Sequence, residues 1–262
     1  MLPRFFAAII ATHRCEWIKE NIKYFAAALA FFALYVILKE KRGRCTVQSE
    51  KTTVYLLRHG QSEANLAGVF TGQLGGFGLT PLGHTQAELA AVYLKTRNIE
   101  KIYASDLARA AQTAQHAAKA CGIEAQLDPR LREIYAGQWE GVSFSALAER
   151  YPEEYAAWKA GSCCDPVGGE RAAQAGRRFF DAVSSLCREN EGKAILIVAH
   201  AMVIRCFECL VRYGSTEALC RVPFVHNAAL SRYAWATDGF SLRERDVYGY
   251  LGTLATTLPK TV

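Results

Sequence analysis

Val54-Tyr-Leu-Leu-Arg58-His59-Gly60-Gln-Ser-Glu-Ala-Asn65 is an apolar run of strand character that stops at an arginine, a histidine and a glycine. A buried strand gains nothing by ending in those three residues, whereas a phosphate site uses each of them. Arginine forks onto phosphate oxygens, glycine lets the backbone approach a ligand closely, and histidine can attack phosphorus. Open α/β sheets keep their ligand crevice at the C-terminal ends of their strands, which is where this strand delivers Arg58 and His59. Taken alone, the tripeptide reads equally well as a loop with a surface histidine.

From Thr52 onward, strands and helices alternate. Val54–Leu57, Lys101–Ala104, Ala125–Leu127 and Ala194–Ala199 have strand character. Helices are expected from Thr80, a suitable N-cap followed by Pro81, to about Arg97, and from Leu107 to about Ala120 before Gly122. Further helices are expected over Pro152–Trp158, Glu170–Cys187 and Met202–Tyr213. Ala229–Ala236 and Ser241–Val247 alternate around Asp238-Gly239, a hairpin signal. This pattern predicts a three-layer, doubly wound α/β fold with a mostly parallel sheet, the final hairpin adding an antiparallel edge strand. Gly72, Gly75, Gly76 and Gly78 read as a mobile rim rather than a phosphate cradle.

Two apolar strands end in a histidine, VYLLRHG at His59 and ILIVAH at His200. If both lie in one parallel sheet, both imidazoles emerge at the same edge. Ser105-Asp-Leu-Ala-Arg109-Ala-Ala-Gln-Thr113 follows a third strand and places Arg109 on the first turns of a helix. Arg130-Leu-Arg-Glu133-Ile-Tyr-Ala-Gly137-Gln-Trp-Glu-Gly141 follows a fourth. The apolar neighbour of Glu133 would raise its pKa and suit it to hold a proton near neutrality.

In this order, the Arg-His-Gly-x-Ser-x-x-Asn opening, the Ser-Asp-Leu-x-Arg-Ala segment, the Leu-x-Glu…Gly-x-Trp-Glu-Gly segment and the late strand-histidine resemble the histidine phosphatase superfamily. That family has the phosphoglycerate mutase-like fold, and the resemblance covers about residues 53–250. It implies that His59 is the nucleophile that becomes phosphorylated and that Glu133 is the acid/base. It also implies a phosphate pocket of Arg58, Arg109 and His200, assisted by Asn65 and the Thr71-Gly72 backbone, with no metal and no cofactor. One departure is visible: Ala201 follows the second histidine where the family usually has glycine, and two readings stand for its small methyl group, tolerated in place or narrowing the phosphate pocket, with activity expected in both.

The formal charge of +6 over 262 residues is unevenly placed. Residues 1–45 hold eight Lys/Arg against Glu16, Glu20 and Glu40, leaving 23 basic and 22 acidic side chains for the rest. The main body therefore lacks the basic surplus of a nucleic-acid-binding domain. Nine scattered cysteines suit a reducing compartment better than a disulfide framework, and Cys206-Phe-Glu-Cys209 reads as helical packing, not a metal site. These features divide the chain into an N-terminal extension, 1–45, and a catalytic domain, 46–262, expected in the cytoplasm.

Tyr24–Leu38 is an uncharged run of 15 residues between Lys23 and Lys39. It falls slightly short of the ~17 residues a spanning helix needs, although flanking lysines can snorkel. Three readings stand for residues 1–45: a membrane anchor, an upstream extension that is not translated, or a soluble helical arm. As an anchor, residues 24–38 would contact the membrane, and the basic cluster after Leu38 would keep the main body on the cytoplasmic side.

Within the family, a mutase must shield its phosphohistidine from water and a phosphatase need not. The Glu133–His200 interval is short, without the insertion that resembles the mutases' substrate-enclosing region, which favours hydrolysis of a small phosphorylated metabolite. Phosphoglycerate mutase activity is the alternative, followed by a non-catalytic binding module of the same fold. Specificity is expected between Gly141 and Gly169, where Tyr151, Tyr155, Trp158 and Cys163-Cys164 lie among few cations (Arg150, Lys159). The sequence is silent on oligomeric state.

Overall fold

The alternation in the Val54–Leu57 run places Val54 and Leu56 on one face of a strand and Tyr55 and Leu57 on the other. All four are buried in the computed structural model, so both faces of this strand are covered. The structure describes residues 52–161, 165–237 and 239–257. The sheet runs in the order β4 (Ala125–Leu127), β3 (Lys101–Ala104), β6 (Ala194–Ala199), β1 (Thr52–Arg58), β7 (Leu230–Ala236), β8 (Gly239–Val247). The first four strands pair in parallel. β7 pairs antiparallel with both β1 and β8, so the terminal hairpin contributes two strands, and β8 is the edge. A separate two-stranded ribbon joins β2 (Val69–Phe70) to β5 (Val142–Ser143).

Helices cover both faces. Tyr55, Leu57, Leu196 and Val198 pack with Ala90, Leu94, Ala110 and Ala114 of α2 (Pro81–Leu94) and α3 (Ala108–Cys121). Val54, Leu56, Ile195 and Ile197 pack with Phe179, Val183 and Phe207 of α6 (Ala172–Glu189) and α7 (Ala201–Tyr213). This is the expected three-layer arrangement. Three shorter helices, α1 (Glu63–Ala67), α4 (Phe144–Arg150) and α5 (Pro152–Ala160), lie in the connections.

Thr80 caps α2 as expected, its Oγ1 accepting from the Gly83 N–H at 3.0 Å. The α-helix stops at Leu94, earlier than expected, and Lys95–Arg97 tightens into a 3₁₀ turn that ends at Asn98 in the left-handed region. Cys206 and Cys209 are buried on α7, and the Cys209 thiol donates to the Ser215 carbonyl, in line with the packing reading. Among the described residues no helix is long and apolar enough to cross a membrane; the run Tyr24–Leu38 and all of residues 1–45 lie outside them.

The turn after β1 lies directly on the first turn of α2. A Cβ on Gly60 would sit 2.4 Å from the Gly83 carbonyl oxygen, and one on Gly83 would sit 2.0 Å from that of Gln61. Both clashes are with backbone, which cannot rotate away. Gly83→Ala is therefore expected to lower stability by about 3 kcal/mol, read as a lower urea midpoint at unchanged m-value.

Candidate active site

β1 and β6 are adjacent parallel strands with Arg58 opposite Ala199, so the next residue of each is a histidine at an equivalent place. The His59 N–H donates to the Ala199 carbonyl at 3.0 Å, and the rings of His59 and His200 lie 5.2 Å apart. Both imidazoles leave the sheet at the same edge, as the two strand-histidine motifs predict. Arg109 arrives from the first turn of α3, just beyond β3, and Glu133 from the loop after β4 and the 3₁₀ turn Pro129–Leu131. Four connections at the carboxyl ends of parallel strands thus converge on one crevice.

The His59 Nδ1 lies 2.7 Å from the Gly60 carbonyl oxygen. A carbonyl only accepts, so this assigns the proton to Nδ1 and leaves the lone pair on Nε2. Burial pushes the His59 pKa well below its usual value, and Arg109 and Arg58 push it further, so the ring is neutral. His200 is lowered by the same causes, burial first and then Arg109. Neither of its ring nitrogens has a hydrogen-bond partner within the protein. Buried polar atoms are seldom left so, and a ligand beside His59 is the natural complement.

Arg58 and Arg109 are both almost fully buried. Arg58 Nη1 donates to the Val225 carbonyl at 2.6 Å, and Arg109 Nη2 to that of Gly72 at 2.8 Å. Burial lowers both guanidinium groups to about 10, partly opposed by Glu133, so both remain cations at neutral pH. Glu133 is raised by burial, against hydrogen bonds and the nearby Arg109 charge. Its Oε2 accepts from the Met202 N–H at 3.0 Å, and its Oε1 from Ile134 at 2.9 Å and Val203 at 3.1 Å. The carboxyl group thereby sits over the N-terminus of α7, whose unpaired N–H groups favour a negative partner.

A cavity is lined by Arg58, His59, Asn65, Thr71, Gly72, Arg109, Glu133 and Ala201. Of the candidates, only His200 is absent from the lining, with its ring 5.2 Å from that of His59. Ala201 opens α7 beside Met202 and lines the cavity. Asn65 caps α1 through Ser62, and its Oδ1 accepts from Ser62 N–H and from Asn227 Nδ2.

The glycine loop departs from its reading as a rim at one point. Gly72 (φ +51°) presses on the Glu133 loop, where a Cβ would lie 2.8 Å from the Ala136 nitrogen, and its carbonyl holds Arg109. Gly75 and Gly76 have open space around them.

Sequence reasoning missed two residues. Asn227 Nδ2 donates to the His59 carbonyl at 3.3 Å as well as to Asn65, tying the His59 backbone to the Asn65 turn. Arg178 donates to the carbonyls of Arg130, Arg132 and Glu133 while paired with Glu170, which clamps the loop that carries Glu133. Arg178 reads as an ordinary solvated helix position, and Asn227 stands next to no recognisable motif, so neither carries a local signal.

Two buried neutral histidines make stability pH-dependent. Their folded pKa values lie below the ordinary 6.5, so the unfolded chain binds more protons as the pH falls through that value. Stability is then lost on acidification, at roughly 1.4 kcal/mol per pH unit for each histidine. The urea midpoint is expected to fall between about pH 7 and pH 5, the window in which an unfolded histidine takes up its proton. A flat midpoint there would contradict the neutral, buried state of both rings.

Comparison with known proteins follows the same geometry. The family model described as histidine phosphatase superfamily (branch 1) matches residues 54–247. The metal-independent phosphoserine phosphatase of Arabidopsis thaliana is 31% identical over 199 residues, 74% of this chain and 83% of that protein. A probable phosphoglycerate mutase of Serratia proteamaculans is 35% identical over 208 residues, 77% of this chain and 96% of that protein. The solved structure of a mycobacterial glucosyl-3-phosphoglycerate phosphatase with VO3 aligns with TM-score 0.67 and 26% identity, covering 74% of this chain and 98% of that one. With a match that takes in both strand-histidines, both buried arginines and Glu133, the chain belongs to the histidine phosphatase superfamily, branch 1.

Proposed function

We propose that the chain is a phosphomonoesterase that hydrolyses a small phosphorylated metabolite through a phosphohistidine on His59. The observation that carries this reading is the His59 Nδ1 hydrogen bond to Gly60, which leaves Nε2 as a neutral nucleophile beside two buried arginines. Nε2 attacks phosphorus, and the bond from phosphorus to the ester oxygen breaks. The departing alcohol takes the proton of Glu133. Glu133, now a carboxylate, removes a proton from water, whose oxygen attacks phosphorus as the bond to nitrogen breaks. Arg58, Arg109 and His200 hold the charge that spreads over the equatorial oxygens, with Asn65 and the Thr71-Gly72 backbone at the periphery.

The alternative is a mutase, the activity named for the Serratia relative. A panel of phosphomonoesters and a bisphosphoglycerate-primed assay on 2- and 3-phosphoglycerate separate the two. Net release of inorganic phosphate supports the hydrolase; isomerisation without net release overturns it. A cytoplasmic catalytic domain is inferred from the free-cysteine content and from the basic residues after Leu38. Fractionation with and without residues 1–45 tests that inference and the anchor together.

A further inference from the structure

The cavity over His59 has a charged floor and an aromatic wall. Phe70, Phe144, Trp158 and Phe224 line it together with Val69 and Met202. The rings form one connected set. The Trp158 centroid lies 5.5 Å from Phe70, 5.8 Å from Phe144 with planes 14° apart, and 6.1 Å from Phe224. Phe70, Phe144 and Trp158 are buried, whereas Phe224 is half-buried and has ring surface left to offer.

The charged lining is spoken for. Among the described residues that line the cavity, the ionisable ones are Arg58, His59, Arg109 and Glu133, all assigned above to phosphoryl transfer. Nearby cations are engaged elsewhere. Arg178 pairs with Glu170, and Arg205 donates to the carbonyls of Val222 and Leu219 while lying 4.4 Å from the Phe224 centroid. A second anionic group on a substrate would lose its water against aromatic carbon, with no cation among the described lining residues beyond the two arginines that face the phosphate, which is unfavourable. An apolar body loses nothing there and gains by burial.

We propose that the alcohol portion of the substrate is apolar or aromatic and carries no second anionic group, and that Phe224 sets this preference. The proposal rests on the phosphomonoesterase reading and narrows it. It also separates this chain from substrates with a carboxylate beside the ester, of the kind named for the Arabidopsis relative.

The test compares three primary alkyl monoesters with similar leaving groups, 2-phenylethyl phosphate, ethyl phosphate and O-phosphoserine, on the full chain by released inorganic phosphate. For 2-phenylethyl phosphate, kcat/KM is expected to exceed that for ethyl phosphate by about tenfold or more. O-phosphoserine is expected to do no better than ethyl phosphate. In Phe224→Ala the ratio of 2-phenylethyl to ethyl phosphate should fall toward unity, mainly through KM; an unchanged ratio overturns the role of Phe224. Inhibition of the wild type by 2-phenylethanol but not by serine supports the proposal without any variant, and the reverse overturns it. Phosphate release with O-phosphoserine preferred overturns this proposal alone. No release from any of the three overturns the hydrolase reading and the proposal with it.

Discussion

His59→Ala is expected to reduce phosphate release on the order of 10⁴-fold and to leave no acid-labile phosphate on the protein. The magnitude follows from what the substitution removes and what it spares. Nε2 is the only protein atom proposed to bond to phosphorus, and no other imidazole and no thiol lines the cavity among the described residues. Arg58 and Arg109 keep their backbone partners at Val225 and Gly72, so the cationic pocket persists. Inorganic phosphate should still bind and still protect against thermal unfolding, which distinguishes a lost nucleophile from a collapsed site. The variant should also lose about one proton's worth of the acid-induced destabilisation, because one buried neutral histidine is gone. Undiminished turnover would sink the assignment of His59.

Glu133→Gln carries the second largest expected effect, a loss of about 10²–10⁴-fold in kcat on alkyl monoesters. An alkoxide leaves poorly without a proton, and Glu133 is the only acidic side chain in the cavity lining among the described residues. On p-nitrophenyl phosphate, whose leaving group departs as a stable anion, the loss in the phosphorylation step should be much smaller. Equal losses on both esters would argue against a proton donor.

The pH dependence has a definite sign. Burial raises the Glu133 pKa, so the protonated, active form extends further toward neutrality and activity falls as the pH rises past that raised value. The glutamine variant should lack that alkaline limb. Stability moves the opposite way to the histidine effect. A carboxyl group that holds its proton more tightly when folded makes the wild type lose stability as the pH climbs above its ordinary 4.5, and glutamine removes that loss. Against this, three backbone N–H groups converge on the two carboxyl oxygens, and the glutamine NH₂ would face one of them as a second donor. A modest fall in urea midpoint at neutral pH is therefore expected alongside the kinetic loss.

The residues that meet at the crevice were legible because each stands at a break in a local pattern. Arg58-His59 and His200 end apolar runs, Arg109 opens a helix after a strand, and Glu133 sits in a loop with Ile134 as its apolar neighbour. The parallel pairing of β1 with β6 then follows from two near-continuous apolar strands separated by helical segments. The place of β7 was less legible. A hairpin signal shows that two strands pair with each other, but not which of them meets the sheet, and here β7 docks on β1 and leaves β8 at the edge.

By itself the sequence determined the fold class and singled out the strand-end histidines, the arginines and Glu133, because strand periodicity, helix caps and abrupt polar interruptions are properties of neighbouring residues. Only the tertiary structure decided how those groups are tuned. The tautomer of His59 depends on the Gly60 carbonyl, the Glu133 carboxyl group on the N-terminus of α7, and the acid loop on a clamp from Arg178, 45 residues away along the chain. The aromatic wall likewise gathers Phe70, Phe144, Trp158 and Phe224 from four separate segments. Such contacts are made by folding and leave no trace in local pattern, since a side chain's chemical environment is set by what packs against it rather than by what precedes it.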